Sequence, residues 1–134
     1  INDLYGDIYV VDNNHNTVVE VSRLLSDVVV LAGSSSHSQT PTDTQPLLHR
    51  HAPLHGHRDG EGHDALFRSP SAVAYTYHPN EEIYVADMRN HVIRKIALAK
   101  GFGSDQTTDI VTTFAGKPNH PGHQDGVGSA SMFW

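Results

Sequence analysis

The chain has 134 residues, the length of one domain and enough to bury a real core. Nine basic against 15 acidic residues give a formal charge of −6, which argues against a nucleic-acid backbone or an anionic membrane as the main partner. The lack of cysteine excludes disulfides and thiolate metal sites, no run approaches the length of a transmembrane helix, and protonation of the 11 histidines would turn the net charge positive.

In chain order, Ile1-Asn2-Asp3 has neither the charged start nor the apolar core of a signal peptide, and the first residue is not Met, so a processed or excised segment is expected. Asp7–Asp12 reads as a strand rich in β-branched and aromatic residues. Asn13-Asn14-His15-Asn16 supplies turn chemistry, Thr17–Val21 is a second strand, and Asp27–Ala32 is a third, closed by Gly33. Residues 34–55 are polar, rich in Ser, Pro and His, and cannot repay the entropy of ordering; a long mobile surface insertion is expected there. Asp59-Gly60-Glu61-Gly62 suggests a glycine-permitted turn, Ala65, Leu66 and Phe67 an apolar anchor, and Ser71–Tyr77 the next strand. Glu82–Asp87 and Val92–Leu98 form a tight hairpin, and Ile110–Ala115 is a final strand closed by Gly116. No segment sustains helical periodicity, so the chain is expected to be all-β.

Two copies of one unit can be laid over each other. Ile8-Tyr9-Val10-Val11-Asp12 matches Ile83-Tyr84-Val85-Ala86-Asp87, Ala32-Gly33 matches Ala115-Gly116, and Asp59-Gly60-Glu61-Gly62 matches Asp125-Gly126-Val127-Gly128. A four-stranded antiparallel unit repeated at this scale points to β-propeller blades, which bury each face against a neighbouring blade. Tyr84-Val85-Ala86-Asp87, Asn90-His91-Val92-Ile93-Arg94-Lys95-Ile96, the Phe114-Ala115-Gly116 strand end and Asp125-Gly126-x-Gly128 closely resemble the NHL-repeat propellers. The first copy departs from the pattern, with His15 in the place of Asn90 and Val19 in the place of Arg94. The expected organisation is a partial blade of three strands at 1–33, the insertion at 34–55, an inter-blade linker at 56–70, a complete four-stranded blade at 71–116, and a linker towards a further blade at 117–134. Closing a ring takes about four to eight blades, so an incomplete propeller is expected, as part of a longer protein or completed by other chains.

The chemistry-bearing residues read mostly as structural. Asp12, Asp87 and Asn90 are expected to hold their turns by accepting backbone N–H bonds. Arg94 and Lys95 are the candidate interaction residues, with one expected to pair with a blade carboxylate and the other to be solvated. His49, His51, His55, His57 and His63 crowd one stretch, but their spacing matches no metal motif and no thiolate assists. They are expected to take up Zn, Cu or Ni weakly and adventitiously, and no dedicated cofactor is expected. Asp59, Glu61, Asp64 and Asp125 lack the ligand pattern of an EF-hand. Neither Gly-x-Ser-x-Gly nor His-Glu-x-x-His nor a phosphate loop occurs.

The expected function is therefore a non-catalytic propeller segment that serves protein–protein interaction or assembly, with protein partners, no nucleic acid and no direct membrane insertion. Two alternatives come with the resemblance: a metal-dependent lyase-like enzyme with a central-channel histidine site, for which His78 is placed by position alone, and an RNA-binding propeller. The sequence identifies no compartment.

Overall fold

The computed structural model describes residues 6–24, 27–33, 54–77, 80–99 and 108–134. Almost all of the expected insertion, with His49 and His51, lies outside the described residues, and so does His78. Strands β1 (Ile8–Asp12), β2 (Thr17–Val21) and β3 (Val28–Ala32) form one antiparallel sheet in the order β1-β2-β3. Strands β4 (Gly60–Glu61), β5 (Pro70–Thr76), β6 (Glu82–Asp87), β7 (Val92–Ala97) and β8 (Ile110–Gly116) form a second, in the order β4-β8-β7-β6-β5. Val, Ile, Tyr and Thr supply most strand positions, because branched and aromatic side chains pack well on a pleated surface. The chain is all-β, built as propeller blades in an incomplete propeller.

The second sheet has one strand more than the expected blade. Asp59-Gly60-Glu61-Gly62, expected as a turn, instead pairs Gly60 with Val111 and Glu61 with Ile110 before a single 3-10 turn at Gly62–Asp64. Pairing satisfies the outer edge of β8, which would otherwise present unpaired backbone groups. The Asp59 carboxylate secures it, accepting from the Thr113 N–H at 3.0 Å and the Thr113 hydroxyl at 3.1 Å.

Strand alternation decides what is buried. Ile83, Val85 and Asp87 of β6 and Val92, Arg94 and Ile96 of β7 share one face and are buried, whereas their neighbours point the other way. This face packs with Tyr9, Val18, Leu31 and Ala32 of the first sheet, and with Ala65 and Phe67 of the linker, into one core. Tyr9 and Tyr75 stack across the junction with ring centroids 5.8 Å apart.

The repeat holds in backbone detail. Asn16 and His91, at equivalent positions, both adopt left-handed angles with φ of 58°. Gly33 and Gly116 have φ of 101° and 97°. A Cβ on Gly33 would strike the Asn16 carbonyl oxygen, and one on Gly116 would lie 2.6 Å from that of His91, so close strand-to-turn approach requires glycine at both. The linkers repeat as well: Gly56 N–H donates to Phe67 O, and Gly122 N–H to Phe133 O, each at 3.0 Å. Isolated bridges join Arg58 to Leu66 and Gln124 to Met132.

Among the described residues, each sheet leaves one face without a neighbouring sheet. On the first, the register places Ile8, Val10, Val19, Val21, Val28 and Val30 together, and Ile8, Val10, Val28 and Val30 are 47, 44, 67 and 45% exposed. Their repeat counterparts Ile83 and Val85 are fully buried because the first sheet covers them.

Candidate functional site

The buried polar groups converge where the second blade meets its linker. Asp87 ends β6, and the 3-10 turn Met88–Asn90 with left-handed His91 carries the chain into β7. Three residues along β7, Arg94 points back under that turn. Its Nη1 donates to Leu66 O at 2.8 Å and to Asp87 Oδ2 at 3.1 Å, and its Nη2 donates to Arg58 O at 2.8 Å and to Asp59 Oδ1 at 2.7 Å. The guanidinium lies over the Phe67 ring, 5.0 Å from its centroid. Planar, multidirectional donation is what arginine offers and lysine does not.

The expected roles at this turn change accordingly. Asn90 does not accept a backbone N–H: its Nδ2 donates to Gly56 O and to Asp87 Oδ2, both at 2.7 Å, and its Oδ1 has no partner. The backbone N–H that Asp87 accepts is that of Arg68 in the linker, at 2.7 Å, and from its own turn it accepts only the Asn90 side-chain amide, along with Arg94. Burial pushes the Asp87 carboxyl above its usual range, against the pull of the Arg68 N–H, Asn90 and Arg94. Arg94 is also no interaction residue, being 0% exposed, since alternation puts it on the same face as Val92 and Ile96. Together these side chains clamp the linker onto the blade.

Asp12 sits at the equivalent turn of the first blade. Its Oδ1 accepts the N–H groups of Asn14 and His15 at 3.0 Å each, and its Oδ2 lies 2.7 Å from His15 Nδ1. Burial would raise its pKa, but the His15 ring and the two backbone donors outweigh that and hold it below the usual range. The turn also reaches the linker. Asn13 Nδ2 donates to Pro70 O at 3.1 Å, and Asn16 Oδ1 accepts from Ser69 N–H at 2.8 Å.

Lys95 lies on the opposite face of β7, where Nζ donates to Glu82 Oε1 at 3.1 Å and the Tyr84 hydroxyl donates to Glu82 Oε2 at 2.7 Å. Tyr84 meets Phe114 edge to face at 4.9 Å on this second open face. The described histidines do not converge. His55 is exposed, and half-buried His57 spends Nε2 on the Thr113 hydroxyl at 2.8 Å. Burial first, then the charge of Arg94, lowers the His57 pKa, and Asp59 and Asp87 offset part of this. His63 lies 3.7 Å from Glu61 and 3.9 Å from Asp64, and these three exposed groups are the one metal-capable set among the described residues.

Sequence reasoning missed Asp59, Asn16 and Arg68 as partners in this framework. Recurrence of Asp59 at Asp125 was the available signal for the first; the Arg68 contribution is a backbone N–H, which residue identity does not reveal.

No protein-family model matches the chain. Over 64 residues it is 45% identical to NHL repeat-containing protein 2 of Gallus gallus, a match spanning 48% of this chain and 7% of that protein. It superposes with a TM-score of 0.66 and 20% identity on a structural genomics protein of unknown function from Bacteroides thetaiotaomicron, over 96% of this chain and 25% of that one. An auxiliary nutrient binding protein from the same organism superposes with a TM-score of 0.62 and 18% identity, over 96% of this chain and 28% of that one. The two solved structures share the fold, and the chain spans 25% and 28% of their lengths. The repeated hairpin and linker, the shared fold and the partial match in sequence make the chain an incomplete β-propeller whose repeat is similar to that of an NHL repeat-containing protein.

Proposed function

We propose that this segment is a non-catalytic part of a propeller that serves protein–protein interaction or assembly. The observation that carries the reading is how the buried polar cluster is used. Asp87, Asn90, Arg94 and Asp59 direct their bonds to each other and to the linker backbone at Gly56, Arg58, Leu66 and Arg68, which builds a framework. Catalysis needs a nucleophile with its base, or charges aimed at a substrate. The apolar faces fit adjoining blades, and the loops at the blade ends fit a partner.

Amine cross-linking of the native polypeptide in cells, read by mass spectrometry, tests the interaction role. Exposed Lys117, in the loop after β8, is expected to join to a second protein in a stoichiometric complex. Cross-links confined to the polypeptide itself would sink that role. Elemental analysis after dialysis against a chelator tests the non-catalytic part, with substoichiometric Zn, Cu and Ni expected. A stoichiometric metal would instead support the lyase-like alternative.

A further inference from the structure

At one end of the second blade, basic side chains gather beside an apolar rim. Arg89, in the turn between β6 and β7, donates its backbone N–H to Arg68 O of the linker at 3.1 Å. Arg68 and Arg89, with Met88, His91 and Trp134, line a recess of about 480 Å³. The framework already described holds its walls: Asp87 fixes the Arg68 backbone, and the Asn119 N–H donates to Asn90 O at 3.0 Å.

Among the described residues no carboxylate pairs with Arg68 or Arg89, whereas Arg94 has two carboxylate partners. Arg68 Nε and His91 Nδ1 are buried without a hydrogen-bond partner. A buried donor left unmet costs free energy that an arriving acceptor recovers. Beside them, Met88 is 51% exposed and gives the recess an apolar edge, with the Trp134 side chain on its lining.

We propose that this recess binds an acidic peptide segment of a partner protein. The peptide carboxylate sits between Arg68 and Arg89, where guanidinium groups give charge-assisted bonds, and an adjacent apolar side chain lies against Met88 and Trp134. The inference rests on the protein-interaction reading and gives that role a site. A nucleic acid fits less well. The adjoining turn, which reaches Ser69 and Pro70 through Asn16 and Asn13, presents the Asp12 carboxylate and no Lys or Arg, and the chain carries −6 overall. A polyanion tracking this end meets repulsion, while a single carboxylate feels the two arginines first.

Trp134 is the only tryptophan of the chain, so its fluorescence reports on the recess directly. Titrating the 134-residue chain with acetyl-Asp-Leu-Glu-Phe-amide is expected to give a saturable change in Trp emission. The uncharged counterpart acetyl-Asn-Leu-Gln-Phe-amide is expected to bind at least about tenfold more weakly, and so is the acidic peptide to Arg89→Ala, which alters an exposed side chain. Lys95→Ala, on another surface, should bind the acidic peptide like the parent. Equal affinity for the two peptides, no response to either, or unchanged binding by Arg89→Ala overturns the proposal. Saturable binding of oligouridylate without binding of the acidic peptide overturns it in favour of RNA. If peptide binding fails while Lys117 still cross-links to a second protein, the site is wrong and the interaction role stands.

Discussion

Arg94 and Lys95 are neighbours with opposite surroundings, because successive side chains of a strand leave the sheet on opposite faces. Arg94 repays its own desolvation only with both carboxylates and both linker carbonyls in place. Arg94→Ala strands the buried Asp87 and is expected to cost about 3–5 kcal/mol in urea unfolding. Arg94→Met, which keeps much of the volume, should cost less, and in an Asp87→Asn background the cost of Arg94→Ala should shrink because no charge is left unpaired. A loss below about 1 kcal/mol for Arg94→Ala would place the cluster among pairs of little worth. The first blade has Val19 at this position, so its framework relies on turn contacts such as Asn16 to Ser69 instead.

The hairpin of β6 and β7 carries a second pair across its other face. Burial acts to raise the Glu82 pKa, but the Tyr84 hydroxyl and Lys95 outweigh it and leave the pKa below its ordinary 4.5. A folded-state pKa that is lowered gives stability that is present above the ordinary value and lost as pH falls through the folded one. The stability difference between the parent and Glu82→Gln should therefore favour the parent at pH 7, by about 0.5–1 kcal/mol, and disappear on acidification below 4.5. Thermal unfolding of both proteins across that range checks it, and a difference that grows on acidification would show the sign to be wrong. Asp87 works in the opposite sense: its pKa is raised, so its contribution is complete below the ordinary 3.8 and declines as pH rises through the folded value.

Across the molecule, burial depends on which blade lies alongside. Val10 and Val85 occupy the same place in the repeat, yet one is 44% exposed and the other fully buried. Phe67 and Phe133 differ likewise, at 0 and 38%, because Phe67 lies under Arg94 and no second blade covers Phe133. In the 134-residue chain Val85→Thr should cost about 1–3 kcal/mol, since it buries a hydroxyl, while Val10→Thr should cost well under 1. In a polypeptide whose preceding blade covers the first sheet, the two substitutions should cost about the same. Denaturant midpoints of both variants in both settings decide the matter. A persistent gap would mean that the valine face of the first blade meets no neighbour.

Strand positions, turns and the repeat were legible because they are local. A period of two marks a strand, Asn, Asp and Gly mark the turns that need their backbone freedom, and Asp87-Met88-Arg89-Asn90-His91 carries part of the resemblance to NHL repeats. The sequence by itself therefore determined the all-β class, the blade pattern and the incompleteness of the ring. Only the tertiary structure decided that Arg94 is a buried clamp, that Asp59 extends a sheet, and that Arg68, Arg89, His91 and Trp134 share one recess. The physical reason is that those partners lie far apart along the chain. What brings them together is the path of the linker over the blade, which no spacing of residues records.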